Sequence, residues 1–121
     1  MVDHKNAGLW LPAGGHVELN EHPKDTVKRE VVEELSIEAS FLLEEPFFLT
    51  VSETVGQGTK HTDVSLWYLL KGCANTQYAF DKNEFHQIAW VCPDDIPDRT
   101  YEPYMQRCFT KLKAMQLLSS D

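Results

Sequence analysis

Residues 15–37 read GHVELNEHPKDTVKREVVEELSI, and the spacing of charge along them decides the fold. Gly15 opens the stretch, Glu21 follows, and after seven more residues come Arg29-Glu30 and then the pair Glu33-Glu34. Residues 23–36 predict a helix. Pro23 fits a first turn, where its missing N–H costs nothing, and Asp25 complements the helix dipole. At about 100° per residue, Glu30, Glu33 and Glu34 share an arc roughly 100° wide, with Val27, Val31, Val32 and Leu35 beside it. Like charges one turn apart cost a few tenths of a kcal/mol per pair, and a cation held between them removes that repulsion. Oxygen-only ligands suit a hard ion such as Mg²⁺ or Mn²⁺. Taken alone, the EVVEE segment favours the reading of good helix formers facing water. Arg29 and Glu21 at their spacings, with Ala13-Gly14-Gly15 upstream of them, turn the reading towards a metal site.

This pattern resembles the Nudix box, Gly-x5-Glu-x7-Arg-Glu-U-x-Glu-Glu-x-Gly-U, where U is bulky and aliphatic. Val31 and Ile37 fill the U positions, and Ser36 stands where the family has glycine. A serine in the left-handed region costs on the order of 1 kcal/mol. The resemblance implies a metal-dependent hydrolase of nucleoside diphosphates linked to another moiety. Glu30, Glu33 and Glu34 are then the side-chain ligands, and Gly14 is the position whose carbonyl joins them. Glu21 and Arg29 match positions that orient the loop and the helix carboxylates, and Arg29 enters the catalytic set in that role. In MutT-like members a glutamate before the last strand binds metal or acts as general base. Glu84 fits that position, with a solvated loop acid as the alternative; Asp81 and Asp63 are weaker candidates. In the expected mechanism metal ions neutralise phosphate charge and lower the pKa of bound water, and Glu34 or Glu84 takes its proton.

The pocket is less legible. Trp10, Phe48, Trp67 and Tyr101 are aromatics that stack a base or fill the core. His16 follows Gly15 and reaches phosphate or solvent; His61 opens a strand and gates the pocket or faces water. Tyr101-Glu102-Pro103 stands where some oxidised-purine enzymes of the family have Asn-Glu-Pro, which weakens that assignment. The family's ADP-ribose proline has no match, since Pro46 comes too early, and its NADH-type motif is absent. The expected substrates are (d)NTPs. The alternatives are nucleotide sugars or dinucleoside polyphosphates, or a non-catalytic nucleotide-binding module.

At 121 residues the chain is expected to be a single domain, residues 1–121, and its 42% hydrophobic and 11% aromatic content supports a core. A net charge of −8 without a basic cluster argues against binding long nucleic acid. There is no apolar run long enough for a membrane span, the first residues are polar, and Cys73, Cys92 and Cys108 lack metal spacing. The expectation is a cytoplasmic protein with reduced thiols.

Outward from the box, residues 8–12 and 15–19 are expected as short strands and 40–55 as extended chain broken at Pro46. Residues 55–60 (VGQGTK) read as a hairpin tip, and 61–71 (HTDVSLWYLLK) as a central strand. A polar loop over 72–83, a strand over 84–92, a turn at 93–97 and a closing helix near 102–118 complete the reading. Strands between two helices fit an α/β/α sandwich around a central mixed β-sheet, the Nudix-type fold. The chain lacks the long apolar N-terminal strand usual in that family. A partner subunit covering the resulting edge makes a homodimer the expected assembly.

Overall fold

The computed structural model describes residues 1–5, 8–55, 60–73, 75–90 and 104–116. Strand β1 (Val2–His4) lies between two antiparallel neighbours, β2 (Leu9–Leu11) and β5 (Phe85–Ile88). Val2 pairs with Leu11 on one side and Ile88 on the other. Val2 and Phe85 are buried, so the chain's first residues hold the middle of a sheet rather than its edge.

Helix α1 (Pro23–Leu35) starts and stops where its sequence says. The Nδ1 of His22, the N-cap, accepts the Lys24 N–H at 3.1 Å. The last turn closes through Ser36, which adopts φ 56° and ψ 38°. Its N–H donates to the Val32 carbonyl at 3.0 Å, and the Ile37 N–H donates to Val31 at 3.4 Å, satisfying carbonyls that a helix end leaves open. The left-handed geometry associated with glycine is therefore kept by a serine. The Ser36 hydroxyl donates to the Ala79 carbonyl at 2.8 Å. A bond of that kind contributes about 0.5–1.5 kcal/mol and offsets the backbone cost.

Strands β3 (Phe48–Val55) and β4 (Lys60–Trp67) form a separate antiparallel pair, from Phe48 opposite Trp67 to Val55 opposite Lys60. The pairing continues irregularly past Pro46, through a bridge between Phe41 and Leu70. Helix α2 (Met105–Ala114) buries Met105, Cys108 and Leu112 at helical spacing. Cys108 and Leu112 pack with Phe47 and Phe48, and Leu43, Trp67, Leu69, Tyr104 and Phe109 close around them.

Three expectations are corrected. Among the described residues no mixed sheet is present: every strand pair there is antiparallel, in sheets of three and two strands. Residues 15–19 form no strand and are exposed, because the loop is committed to the helix rather than to a ladder. Residues 61–71 are not a central strand. Asp63-Val64-Ser65-Leu66-Trp67 alternates, and β4 places Val64 and Leu66 on an exposed face with Leu49 and Val51 opposite. The hairpin tip, residues 56–59, and the 93–97 turn lie outside the described residues.

Candidate active site

Arg29 is the hub of the loop-helix unit. Its Nε and Nη2 donate to the two carboxylate oxygens of Glu21 at 3.0 and 3.1 Å, a bidentate pair. Nη1 reaches Glu30 at 2.7 Å and Glu33 at 3.4 Å, and Nη2 also donates to the His16 carbonyl at 3.0 Å. Glu21 accepts further from the Thr26 hydroxyl at 2.7 Å and the Glu18 N–H at 3.1 Å. Arg29 first, then Thr26 and Glu18, hold the Glu21 carboxyl down at about 2. The same pairing raises the Arg29 guanidinium above its ordinary value. A seven-residue gap in sequence thus becomes one rigid clamp between loop and helix.

The three helix glutamates differ by their angle to the core. Counting about 100° per residue from buried Val31, Glu34 stands nearest the core, Glu30 further round and Glu33 furthest. Exposure follows that order: Glu34 is buried, the Glu30 side chain is 13% exposed and that of Glu33 58%. Val32, expected on the apolar flank, lies about 100° the other way and is exposed. Glu34 accepts the Gly14 N–H at 3.2 Å. Burial pushes the Glu34 carboxyl up to about 8; the Gly14 N–H opposes this, and the charges of Glu30 and Glu84 add to it. Gly15 lies so close to the Glu30 carboxylate that a Cβ there would overlap it, whereas Gly14 has open space around it. The tight glycine of the doublet is therefore Gly15.

The loop before β5 is fastened to the end of α1. The Asp81 N–H donates to the Glu34 carbonyl at 3.0 Å, and the Glu84 N–H to the Asp81 carbonyl at 3.2 Å. The Asp81 carboxylate accepts the Asn83 N–H at 2.9 Å, which spends it on the turn. Glu84 is exposed, and its charge reaches Glu34. Among the described residues, no three His, Cys, Asp or Glu side chains converge tightly enough to form a metal-holding group. In this arrangement Arg29 holds Glu30 and contacts Glu33. The donor set itself is all oxygen, anionic and partly desolvated, which fits a hard divalent cation.

A cavity of about 1220 Å³ opens beside these residues, lined by Gly14, Gly15, His16 and Glu34 at one end and by Thr50, Ser52, Asp63 and Ser65 on another wall. Small-ligand pockets run from about 300 to 1,000 Å³, so it has room for a nucleotide. His16 is at its margin, exposed, with its carbonyl bound by Arg29. Trp67 also lines the cavity, yet its indole N–H donates to Thr50 at 3.1 Å and its ring meets Phe48 edge-on at 5.7 Å, so it serves the core. Trp10 is half-buried on β2 and not among the lining residues. The His61 side chain and Tyr101 lie outside the described part of the structure.

Sequence reasoning missed Thr26, whose buried hydroxyl braces Glu21, and the pair Tyr78–Trp90, whose rings lie 5.9 Å apart on the cavity wall. Thr26 sits five residues after Glu21 with no spacing rule to flag it. Trp90 was read only as part of a strand. No helix among the described residues is long and apolar enough to cross a membrane.

Comparison with known proteins bears on this arrangement. The chain is 33% identical over 95 residues to the nucleoside triphosphatase NudI of Escherichia fergusonii, covering 74% of this chain and 65% of that protein. It is 31% identical over 94 residues to the nucleoside triphosphatase NudI of Escherichia coli strain SE11 and to that of Shigella flexneri, with the same coverage. It thus spans just under two thirds of the length of these relatives. The NUDIX domain profile matches residues 2–112, which takes in β1, the glycine loop, α1, the loop bearing Glu84 and most of α2. The chain belongs to the NUDIX domain family.

Proposed function

We propose that this protein hydrolyses a phosphoanhydride bond in nucleoside diphosphate-linked substrates, with (d)NTPs foremost, in the presence of Mg²⁺ or Mn²⁺. The observation that carries the proposal is Glu34. It is a buried carboxyl raised to about 8, beside Glu30 and within reach of the charge of Glu84, at the end of a nucleotide-sized cavity. Burying an acid among other acids is costly unless the site has a use for it. The identity of the relatives as nucleoside triphosphatases supports the substrate class. Within the NUDIX domain the described strands and helices are read as parts of an α/β/α sandwich, and the cytoplasm is the proposed location.

Glu30, Glu33 and Glu34, with the carbonyl of Gly14, would hold the cation. When bound, it supplies charge neutralisation at the phosphates and acidifies water. The chain's own groups do the rest. Arg29 fixes Glu30 and Glu33 from one side and the loop from the other, so the carboxylates meet the substrate preorganised. Glu34, or Glu84 on the solvent side of the same group, accepts the proton of the attacking water. Gly15 lets the loop backbone close onto Glu30.

The test is a Mg²⁺-dependent turnover screen over (d)NTPs, nucleotide sugars and dinucleoside polyphosphates, with Glu34→Gln beside the wild type. Turnover of one class, reduced about 10²–10⁴-fold in the variant, is expected. Silence over the whole panel, or a variant as active as wild type, would overturn the proposal.

A further inference from the structure

Two bonds tie the end of helix α1 to the loop before β5: the Ser36 hydroxyl donates to the Ala79 carbonyl at 2.8 Å, and the Asp81 N–H donates to the Glu34 carbonyl at 3.0 Å. From Asp81 onwards the loop is one stiff turn. The Asp81 carboxylate accepts the Asn83 N–H at 2.9 Å, and its carbonyl accepts the N–H groups of Glu84 at 3.2 Å and Phe85 at 3.0 Å. Phe85 is fully buried and anchors the far end of the turn. Lys5, just past β1, grips that end as well, with its N–H on the Glu84 carbonyl at 2.9 Å and its Nζ on the Lys82 carbonyl at 2.6 Å. Lys5 and Phe85 thus fix where the turn ends, and the bonds from α1 fix how its start faces Glu34.

The helix end itself does not require a serine. Ser36 sits at φ 56° and ψ 38°, where glycine, the residue of the family pattern at this position, is the least strained. The cap is closed by the main-chain N–H groups of residues 36 and 37, and a glycine supplies the same donor. The strain of a left-handed serine and the net gain from one neutral hydrogen bond are of similar size, so the exchange is nearly neutral for stability. What the serine adds is a fixed attachment of the chain at Ala79 to the helix turn that carries Glu34.

Resting on the reading above of Glu84 as a group that serves the Glu34 site, we propose that Ser36 is a positioning residue, whose hydroxyl holds the loop so that the Glu84 carboxylate is presented to the acidic end of α1. The charge of Glu84 is felt at Glu34, so the loop in its present place brings the two carboxyls within electrostatic reach. Because the turn is internally bonded, releasing its start tilts Glu84 with it. A misplacement of about 1 Å costs about 10²-fold in rate. A group that acts on the attacking water, and not on the bound substrate, reads out in kcat rather than in KM.

The test is Ser36→Gly, which removes the hydroxyl and keeps the left-handed backbone. Ser36→Asn goes beside it, since asparagine tolerates the same backbone and carries an amide donor. Amide hydrogen exchange is followed by NMR on the metal-free proteins. In Ser36→Gly, protection at Asp81 and Glu84 should fall about 10-fold. Protection at Ile37, whose N–H bonds the Val31 carbonyl, should be kept, with a nearly unaltered melting temperature. In Mg²⁺-dependent turnover kcat should fall about 10-fold with KM unchanged, and Ser36→Asn should recover part of both losses. Unchanged protection at Asp81 and Glu84, a loosened loop with full kcat, a loss confined to KM, or an equal loss of protection at Ile37 would overturn the inference. A silent turnover screen with the loop loosened in Ser36→Gly would overturn the hydrolase reading and leave the hold of Ser36 on the loop standing.

Discussion

Helix α1 with its preceding loop and the hairpin β3–β4 put charge and apolar surface to opposite uses. In the first, four charged residues turn inwards: Glu34 is buried, and Glu21, Arg29 and Glu30 are largely enclosed, with Arg29 bonded to both Glu21 and Glu30. In the second, Leu49, Val51, Val64 and Leu66 are exposed, and Val64 and Leu66 line the cavity together with Thr50, Ser52, Asp63 and Ser65. Both regions depart from the rule that polar groups go out and apolar groups go in, and both contribute to the lining of the same cavity. The difference lies in how each exception is held. The helix keeps its acids in place by explicit partners at measured distances. The hairpin keeps its two faces by register alone, because a one-residue slip would exchange them.

Removing the helix clamp is the severest way to break this contrast. Arg29→Ala leaves Glu21, Glu30 and the His16 carbonyl without their shared donor, and stability at pH 7 should fall, read as a lower urea midpoint. The pH dependence has a definite sign. The Glu21 carboxyl is lowered from 4.5 to about 2, so its contribution is fully present above 4.5 and disappears as pH falls through about 2. Urea midpoints of wild type and variant should therefore converge between pH 4.5 and pH 2; a constant gap would show that Glu21 is not the partner that matters.

A smaller change sharpens the same side. Gly15→Ala places a methyl group against the flexible end of Glu30, so the fold should survive while the carboxylate leaves its position. Turnover of whichever nucleotide the screen identifies should drop by about 10²-fold with an unaltered melting temperature. Equal loss in Gly14→Ala would mean that the doublet acts through backbone freedom rather than through this contact.

The smallest effect is expected on the hairpin. Leu49→Thr and Val51→Thr, on the exposed face, should each alter stability by less than about 0.5 kcal/mol in thermal unfolding. A loss of several kcal/mol in either would show that this face is covered in solution.

The same contrast explains what could be read from sequence. The ends of α1 are written locally: Pro23 and Asp25 at its start, and a turn at Ser36 that the structure realises with a left-handed serine. The Glu21–Arg29 clamp was legible because a fixed spacing carried it. The sequence placed all three glutamates on one arc without saying which is buried, a distinction that only the position of buried Val31 supplies, and Val32 was placed on the wrong side because the arc was drawn too wide. The strand over 61–71 was misjudged for a different reason. Apolar content says that a segment is a strand, but the side that meets the cavity depends on what lies across it, and the sequence does not contain that. Trp67 shows the same limit, since a core indole and a stacking platform share one composition. The metal ligands Gly14, Glu30, Glu33 and Glu34 and the base candidate Glu84 remain proposals, grouped by sequence spacing and by the charge felt at Glu34.

The outward aliphatic face has a colloidal consequence. Leu49, Val51, Val64 and Leu66 form one contiguous apolar block on a two-stranded ribbon, and a net charge of −8 is what keeps such blocks on separate molecules apart. That repulsion vanishes near the isoelectric point of about 5.0. The usable concentration of the protein should therefore depend on pH and salt, with copies drawn together as the pH approaches that value.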